Sequence, residues 1–325
     1  MGEVLFIKKM MPVLPIMACK NLEVPFITCN EMLEYNKGKD LELWELAVAY
    51  ESMRGNISED VVFEKMRSIL RIMQNAIDLG KKGTKYADRI LGPQSLTFQE
   101  RMDGKKLVEG DVLNQVILCT SAMMEVKSSM GVVVAAPTAG SCGALPGAII
   151  GIGRTLELSE DQMVKAMLAA GIIGVFIAAH ATFAAEVGGC MAECGSGSGM
   201  AAAGIVLLKK GSLTQSLSAA SMALQSSLGM ICDMIADRVE APCLNRNVMA
   251  ATNAISCANM ALSDYDQVIP LDEVVETMKR VGDALPNTLR CTGLGGLAIT
   301  KTAKEIEAKL ANGEINQNKT FFKVC

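Results

Sequence analysis

Two kinds of residue in this chain could do chemistry: cysteines placed beside polar residues, and turns rich in glycine and hydroxyl groups. Among eleven cysteines, Cys190 follows two glycines, Cys232 precedes Asp233, and Cys243 opens the segment CLNRN. A free cysteine serves either as a small buried apolar residue or, when deprotonated, as a metal ligand. The spacing of these three is typical of neither a structural zinc site nor a ferredoxin. Spacing alone therefore leaves both interpretations open.

The segment 137–143, PTAGSCG, combines backbone N–H groups with two hydroxyls. Glycine-rich turns can leave N–H groups free to face an anion, and a carboxylate would suit this one. It is not a nucleotide loop, because neither GxxxxGK[ST] nor a GxGxxG between a strand and a helix is present. The alternative is a tight connection between helices, where glycine permits close packing. The residues alone do not decide between these two hypotheses.

The elements that position these residues are predicted to be helical. Half of the 325 residues are hydrophobic but only 4% are aromatic, which favours closely packed helices over a sheet sandwich. Apolar spacing predicts helices over 42–51, 59–79, 112–127, 200–208 and 213–230. Ser159 and Gln162 form a capping box, and Asp272 is predicted to cap a further helix. The sequence therefore predicts an all-α fold.

The sequence also predicts two turns, a loop region and a division of the chain into an arm and a domain. Segments 137–143 and 186–199 are expected to interrupt the helices as turns, and 80–111 reads as a long ordered loop or short helices. Residues 1–38, broken by prolines, are predicted to form an N-terminal arm. Residues 39–325 are predicted to form one compact helical domain that ends in a C-terminal tail.

Composition also excludes several classes of protein. The net charge is −4 with no basic stripe, which argues against a nucleic-acid partner. The N-terminus lacks the features of a signal peptide, and the odd number of cysteines in a long chain fits a reducing cytoplasm. Residues 166–185 are long enough to cross a membrane, but they contain His180 and two glycines. We expect a buried core helix there, and no membrane partner.

Five sequence blocks occur together in this chain. They are 130–147 (MGVVVAAPTAGSCGALPG), 188–203 (GGCMAECGSGSGMAAA), the Cys232-Asp233 pair, 241–247 (APCLNRN) and 294–298 (LGGLA). In their order, and in the separations between the three cysteines, they resemble the α chain or α domain of the iron–sulfur-dependent L-serine dehydratases. The resemblance runs from about residue 42 to residue 310. A single block is not specific for this family, but the five blocks together are.

The resemblance implies a helical domain that holds a [4Fe–4S] cluster on Cys190, Cys232 and Cys243, with one iron lacking a protein ligand. It implies β-elimination from a small hydroxy amino acid, with L-serine giving pyruvate and ammonia. An open iron can act as a Lewis acid on the departing hydroxyl. A base must also take the α-proton. In the family a histidine on a separate β domain is a candidate, so either a β chain completes the site or His180, the single histidine here, provides the base.

The candidate substrate-binding residues lie in or beside the matching blocks. They are Thr138, Gly140, Ser141, Gly143, Lys127, Asn245, Arg246 and Arg290. The family typically reads Lys-Glu-Thr-Ser before LGGLA, whereas this chain reads RCTG. Such departures add basic residues near the predicted pocket, which makes a substrate with a second acidic group an open hypothesis.

Further alternatives remain at this point. Cys325, the last residue, could be a fourth cluster ligand or a free thiol on the tail. The same cluster could serve cysteine desulfuration or elimination from an acidic hydroxy acid. The chain could also be a non-catalytic subunit that only binds a cluster. Its partner is predicted to be a β chain carrying the base, or further copies of itself in a homo-oligomer.

Overall fold

The computed structural model describes residues 13, 15–18 and 23–315. Within these ranges the chain forms helices and no sheet, and the one β-type pairing is an isolated bridge between Cys232 and Arg290. The all-α prediction is therefore confirmed. The α-helices are α1 (Cys29–Asn36), α2 (Leu43–Gly55), α3 (Glu59–Lys81), α4 (Gln94–Asp103), α5 (Asp111–Ser128), α6 (Ala144–Thr155), α7 (Glu160–His180), α8 (Ala185–Cys190), α9 (Ser196–Leu208), α10 (Leu213–Gln225), α11 (Cys243–Leu262), α12 (Leu271–Ala284) and α13 (Lys301–Ala311).

Helix α9 lies at the centre of the molecule and packs against α6, α7, α10 and α11. Almost all of its residues are buried, and most are Gly, Ala or Ser. Small residues let neighbouring backbones approach closely, and a Cβ on Gly204 would lie only 2.8 Å from the Ala166 carbonyl oxygen of α7. Because α9 continues from the segment that contains Cys190, this packing fixes one side of the predicted cluster site.

Two helical runs, Glu160–His180 and Ala185–Leu208, are long and apolar enough to cross a membrane by length and composition. Most of each run is buried against the rest of the fold. A core helix of a globular protein passes the same test of length and hydropathy. This burial agrees with the predicted core helix over residues 166–177, but the helix ends at His180 and residues 181–184 are not helical.

One predicted helix cap is confirmed and one is wrong. The Ser159–Gln162 capping box is present at the start of α7. Asp272, however, lies inside the first turn of α12, which begins after Pro270. Its two carboxylate oxygens accept hydrogen bonds from the N–H groups of Cys29 and Asn30, at 2.8 and 3.0 Å. Asp272 therefore caps α1, a helix distant in sequence, which local spacing does not reveal.

The predicted turn at 186–199 is also wrong, because this segment is helical. Helix α8 continues through a π-helical turn, Met191–Gly195, directly into α9. The one kink is at Gly189, whose φ is +68° and whose added Cβ would lie 2.6 Å from the Met230 carbonyl oxygen. Tertiary burial of small residues overrides their weak helix propensity here. Helix α10 likewise ends at Gln225, before the predicted boundary at 230.

The described part of the predicted N-terminal arm packs into the same core. Helix α1 buries Cys29 and Met32. The ring centroid of Phe26 lies 5.7 Å from that of Tyr50 and 6.3 Å from that of Phe176. Residues 23–36 therefore contribute apolar contacts to helices α2 and α7.

The close contact of α3 with α5 gives a first testable prediction. A Cβ on Gly80 would collide with the backbone of Ala122, whereas a Cβ on Gly171 would meet nothing within 4 Å. We expect Gly80→Ala to lower the free energy of unfolding by about 1–3 kcal/mol through overpacking. The control Gly171→Ala should raise it by about 0.5–1 kcal/mol, because alanine is the better helix former. Urea unfolding of the cluster-free chain measures both changes in the free energy of unfolding. A Gly80→Ala variant as stable as the wild type would contradict the close contact of α3 with α5.

Candidate active site

Three buried thiols lie on three separate parts of the chain. Cys190 ends α8, Cys232 lies in the segment between α10 and α11, and Cys243 begins α11. Cys190 and Cys232 pack in one small cluster, with the partly exposed Cys291 against it. The Cys291 N–H donates to the Cys232 carbonyl oxygen at 3.0 Å, which holds the RCTG segment beside the site. Cys194, one helical turn after Cys190, faces the same region.

Arg246 connects Cys190 to the block LGGLA. Its Nη1 lies 3.4 Å from the Cys190 Sγ, and its Nη2 donates to the Asp233 Oδ1 at 2.5 Å. The other Asp233 oxygen accepts from the Leu297 N–H at 2.7 Å. A Cβ on Gly296, whose φ is +58°, would collide with the Asp233 carboxylate, so glycine is required there. Four of the five sequence blocks thus meet around one buried ion pair.

The charges at this site favour a thiolate at Cys190. Hydrogen bonds from the Cys194 and Cys232 thiols, assisted by the Arg246 guanidinium, lower the pKa of Cys190. Burial raises the pKa of Cys243, and negative charge on Cys190 raises it further. Cysteine binds metals as the thiolate, and a bound cation deprotonates its thiol ligands. The electrostatics therefore suit a thiolate at Cys190, whereas Cys243 would need a bound cation to lose its proton.

Asn247 ties the 137–143 turn to the start of α11. Its Oδ1 accepts from the N–H groups of Gly143 and Ala144, both at 3.1 Å, and so caps the N-terminus of α6. Its Nδ2 donates to the carbonyl oxygens of Gly140 and Cys243, both at 2.9 Å. The side chain is fully buried and all four hydrogen-bonding positions of its amide are used. The turn and the Cys243 backbone are therefore held as one rigid unit.

The turn itself is ordered by its own hydroxyls and by Glu193. The Thr138 Oγ1 donates to the Glu193 Oε1 at 2.7 Å and accepts from the Ser141 N–H at 3.1 Å. The hydroxyls of Thr138 and Ser141 lie 3.0 Å apart. The N–H groups of Ala139 and Gly140 donate to no acceptor among the described residues. The turn thus offers two open backbone donors beside a carboxylate.

The remaining predicted site residues lie in varied surroundings. The Lys127 ammonium donates to the Val239 carbonyl oxygen, and burial lowers the pKa of Lys127. The Arg290 guanidinium donates to the carbonyl oxygens of Leu285 and Asp283, and Asn245 is exposed. The His180 Nε2 lies 3.0 Å from the Ile27 carbonyl oxygen. Cys325 lies outside the described residues.

Sequence reasoning missed Glu193, Asn247 and the full role of Asp233. Helical spacing carried a signal for two of them. Asn247 is four residues after Cys243 and Glu193 is three after Cys190, so each lies on the same helical face as a predicted ligand. Asp233 stood beside Cys232, but its pairing with Arg246 depends on how the loop after α10 crosses α11.

Cysteine thiolates ligate both single metal ions and iron–sulfur clusters. Across the described ranges, no three or more His, Cys, Asp or Glu side chains are arranged to hold one ion. An iron–sulfur cluster is larger, and each cysteine thiolate ligates its own iron. Three buried free thiols on separate segments, next to a guanidinium that stabilises negative charge, are a donor set of the required chemistry.

The chain is similar to a set of known enzymes. A family model described as "Serine dehydratase alpha chain" matches residues 38–298. The chain is 35% identical to "Probable L-serine dehydratase, alpha chain" of Bacillus subtilis (strain 168), over 91% of this chain and 98% of that protein. It is 34% identical to "L-serine dehydratase, alpha chain" of Peptoniphilus asaccharolyticus, over 86% and 96%. It is 32% identical to "L-serine dehydratase 1" of Escherichia coli (strain K12), over 85% of this chain but 62% of that protein.

An all-α fold with these relatives defines an enzyme of the carbon–oxygen lyase class, a dehydratase. Within that class, the chain belongs to the serine dehydratase alpha chain family. The family resemblance drawn from the five sequence blocks is therefore confirmed.

The buried amide of Asn247 gives a second testable prediction. Asn247→Ala removes four hydrogen bonds and leaves buried backbone groups unpaired. We expect it to lower the free energy of unfolding by about 2–4 kcal/mol. The matched control is Asn245→Ala, two residues earlier and exposed, which should change it by less than about 0.5 kcal/mol. Equal effects in urea unfolding would show that Asn247 does not organise the turn.

Proposed function

We propose that this chain catalyses β-elimination of L-serine to pyruvate and ammonia, with a [4Fe–4S] cluster held by Cys190, Cys232 and Cys243. The observation that carries the proposal is that Cys190 packs against Cys232, with Cys243 near enough for negative charge on Cys190 to raise its pKa, in a chain of the serine dehydratase alpha chain family. When bound, the cluster would supply a Lewis-acid iron to the departing hydroxyl. The relatives' printed names support serine as the substrate.

The chain's own residues would hold the substrate and the ligands in place. Arg246 neutralises the Cys190 thiolate and is itself fixed by Asp233. The open N–H groups of Ala139 and Gly140 would donate to the substrate carboxylate, in a turn that Asn247 keeps rigid. Rigid placement of the substrate beside the ligands lowers the entropic part of the barrier.

The arginines that suggested a second acidic group on the substrate are already engaged. Arg290 is used on two backbone carbonyls, and Arg246 on Asp233 and Cys190. Each guanidinium is thus oriented by acceptors of the chain itself, through two of its five N–H donors. We therefore favour a small monocarboxylic amino acid, in keeping with the relatives' printed names, over a hydroxy-dicarboxylate. The described cysteines are all free thiols, which supports the cytoplasm as the place of action.

We assign the base that takes the α-proton to a partner β chain. The relatives from Bacillus subtilis and Peptoniphilus asaccharolyticus are each named as an alpha chain. The longer Escherichia coli relative extends well beyond the part that this chain matches. His180, the alternative base, has its Nε2 on the Ile27 carbonyl oxygen at the end of α7.

The cluster assignment predicts a clear pattern of iron content. After anaerobic purification, the chain should contain about four iron and four sulfide per chain. Replacing Cys190, Cys232 or Cys243 by Ser should reduce both by more than half. Cys257→Ser is the matched control, because Cys257 is equally buried but its thiol contacts Asn253 on the same helix. Iron retained in all three ligand variants, or lost equally in the control, would refute the assignment.

The assignment of the base predicts how serine turnover depends on the partner. The cluster-loaded chain alone should turn over serine at least 100-fold more slowly than with a candidate β chain, because general bases contribute about 10²–10⁴-fold. His180→Gln in the complex should retain turnover within about threefold. A large loss in His180→Gln with unchanged iron content would place the base in this chain instead.

A further inference from the structure

The carboxylate of Glu193 is placed at the turn that would bind the substrate, yet no chemistry has been assigned to it. Its Oε1 accepts from the Thr138 hydroxyl at 2.7 Å. A Cβ on Gly140 would lie 2.8 Å from Oε1 and 3.0 Å from Oε2, so the carboxylate lies directly against the turn. Both side-chain oxygens therefore lie beside the Gly140 backbone, in the turn whose Ala139 and Gly140 N–H groups are open.

Glu193 has no cationic partner among the residues that the structure describes. It forms no salt bridge, and no described donor reaches its Oε2. The positive charge of Lys127 acts to lower the pKa of Glu193, but the Lys127 ammonium donates to the Val239 carbonyl oxygen. Burial raises the pKa of Glu193 to about 7, as expected for a carboxyl group withdrawn from water without a positive partner. Burying a carboxylate without a positive partner is unfavourable, so a cation bound at this position would stabilise it.

We propose that Glu193 binds the α-ammonium group of the substrate and selects amino acids over hydroxy acids and simple carboxylic acids. This inference rests on the proposed function, since it concerns the same substrate site. The turn would hold the two charges of one zwitterion side by side. Ala139 and Gly140 N–H groups would take the carboxylate, and the free Oε2 of Glu193 would take the ammonium.

Several features of the chain support this assignment. Gly140 is the residue that allows the close approach, because a larger side chain would displace the carboxylate. Thr138 orients Glu193 from the same turn that supplies the backbone donors. The Thr138 hydroxyl therefore links the Glu193 carboxylate to the turn that carries the backbone donors. This link fixes the distance between the site for the substrate ammonium and the site for the substrate carboxylate. A ligand without an amine would leave the buried carboxylate unpaired.

The test compares two unreactive ligands that differ only in the amine. L-Alanine and propionate both lack the leaving hydroxyl, so their binding does not depend on the elimination step. Calorimetry on the cluster-loaded complex with its β chain should show L-alanine binding about 10- to 100-fold more weakly to Glu193→Gln, the loss of one charge-assisted hydrogen bond. Propionate should bind the variant as well as the wild type or better, since a like charge has been removed.

Two further variants serve as controls. Glu186→Gln makes the same change of charge at an exposed residue seven positions earlier in the chain, and it should leave both affinities within about twofold. Glu193→Asp keeps the charge but shortens the side chain, so it should weaken L-alanine by less than Glu193→Gln does. Iron content and melting temperature of each variant report whether the site is intact, and Glu193→Asp carries the test if Glu193→Gln does not fold.

The outcomes separate this inference from the function on which it rests. A Glu193→Gln variant that weakens L-alanine and propionate equally, or neither of them, overturns the ammonium site. If the wild-type complex binds L-alanine through Glu193 but does not turn over serine, the proposed function is overturned. The ammonium site is supported in that case. A selective loss of L-alanine, with KM for serine raised in parallel, supports both.

Discussion

The side-chain amide of Asn247 is the interaction on which the geometry of the site depends. It joins the turn at 137–143, the first turn of α6 and the first residue of α11 through four hydrogen bonds in a fully buried position. Without it, the N-terminus of α6 would have unpaired N–H groups in the core, which is costly. The turn that would receive a substrate carboxylate is thus fixed relative to Cys243 by one residue.

A second buried group fixes the other side of the site. Asp233 pairs with Arg246 and accepts the Leu297 N–H, so that the loop after α10, helix α11 and the LGGLA segment meet at Cys190. Removing either partner of a buried ion pair leaves an uncompensated charge in the interior, which is strongly destabilising. Arg246 and Asn247 are adjacent in α11. Arg246 contacts the thiol of Cys190, and Asn247 contacts the 137–143 turn, so the two residues serve two sides of one site.

The sequence allowed much of this to be predicted, and the failures have physical causes. Helices such as α3 and α5 follow from apolar spacing, and the capping box at Ser159 is a local signal. Residues 186–199 were misread because glycine and serine are poor helix formers in isolation, whereas here their small size permits burial against α7 and α10. The three proposed ligand cysteines could be separated from the others only through their neighbouring blocks. Long-range pairs such as Asp233–Arg246 and Thr138–Glu193 depend on the tertiary fold, which spacing does not encode.

We propose that three cysteines of this chain hold a cluster whose remaining iron meets the substrate. The decisive measurement is Mössbauer spectroscopy of the ⁵⁷Fe-loaded complex with its β chain, recorded with and without L-serine. We expect one iron site that differs from the other three and whose signal alone shifts when serine is added. Four equivalent irons, or a spectrum that serine leaves unchanged, would contradict it.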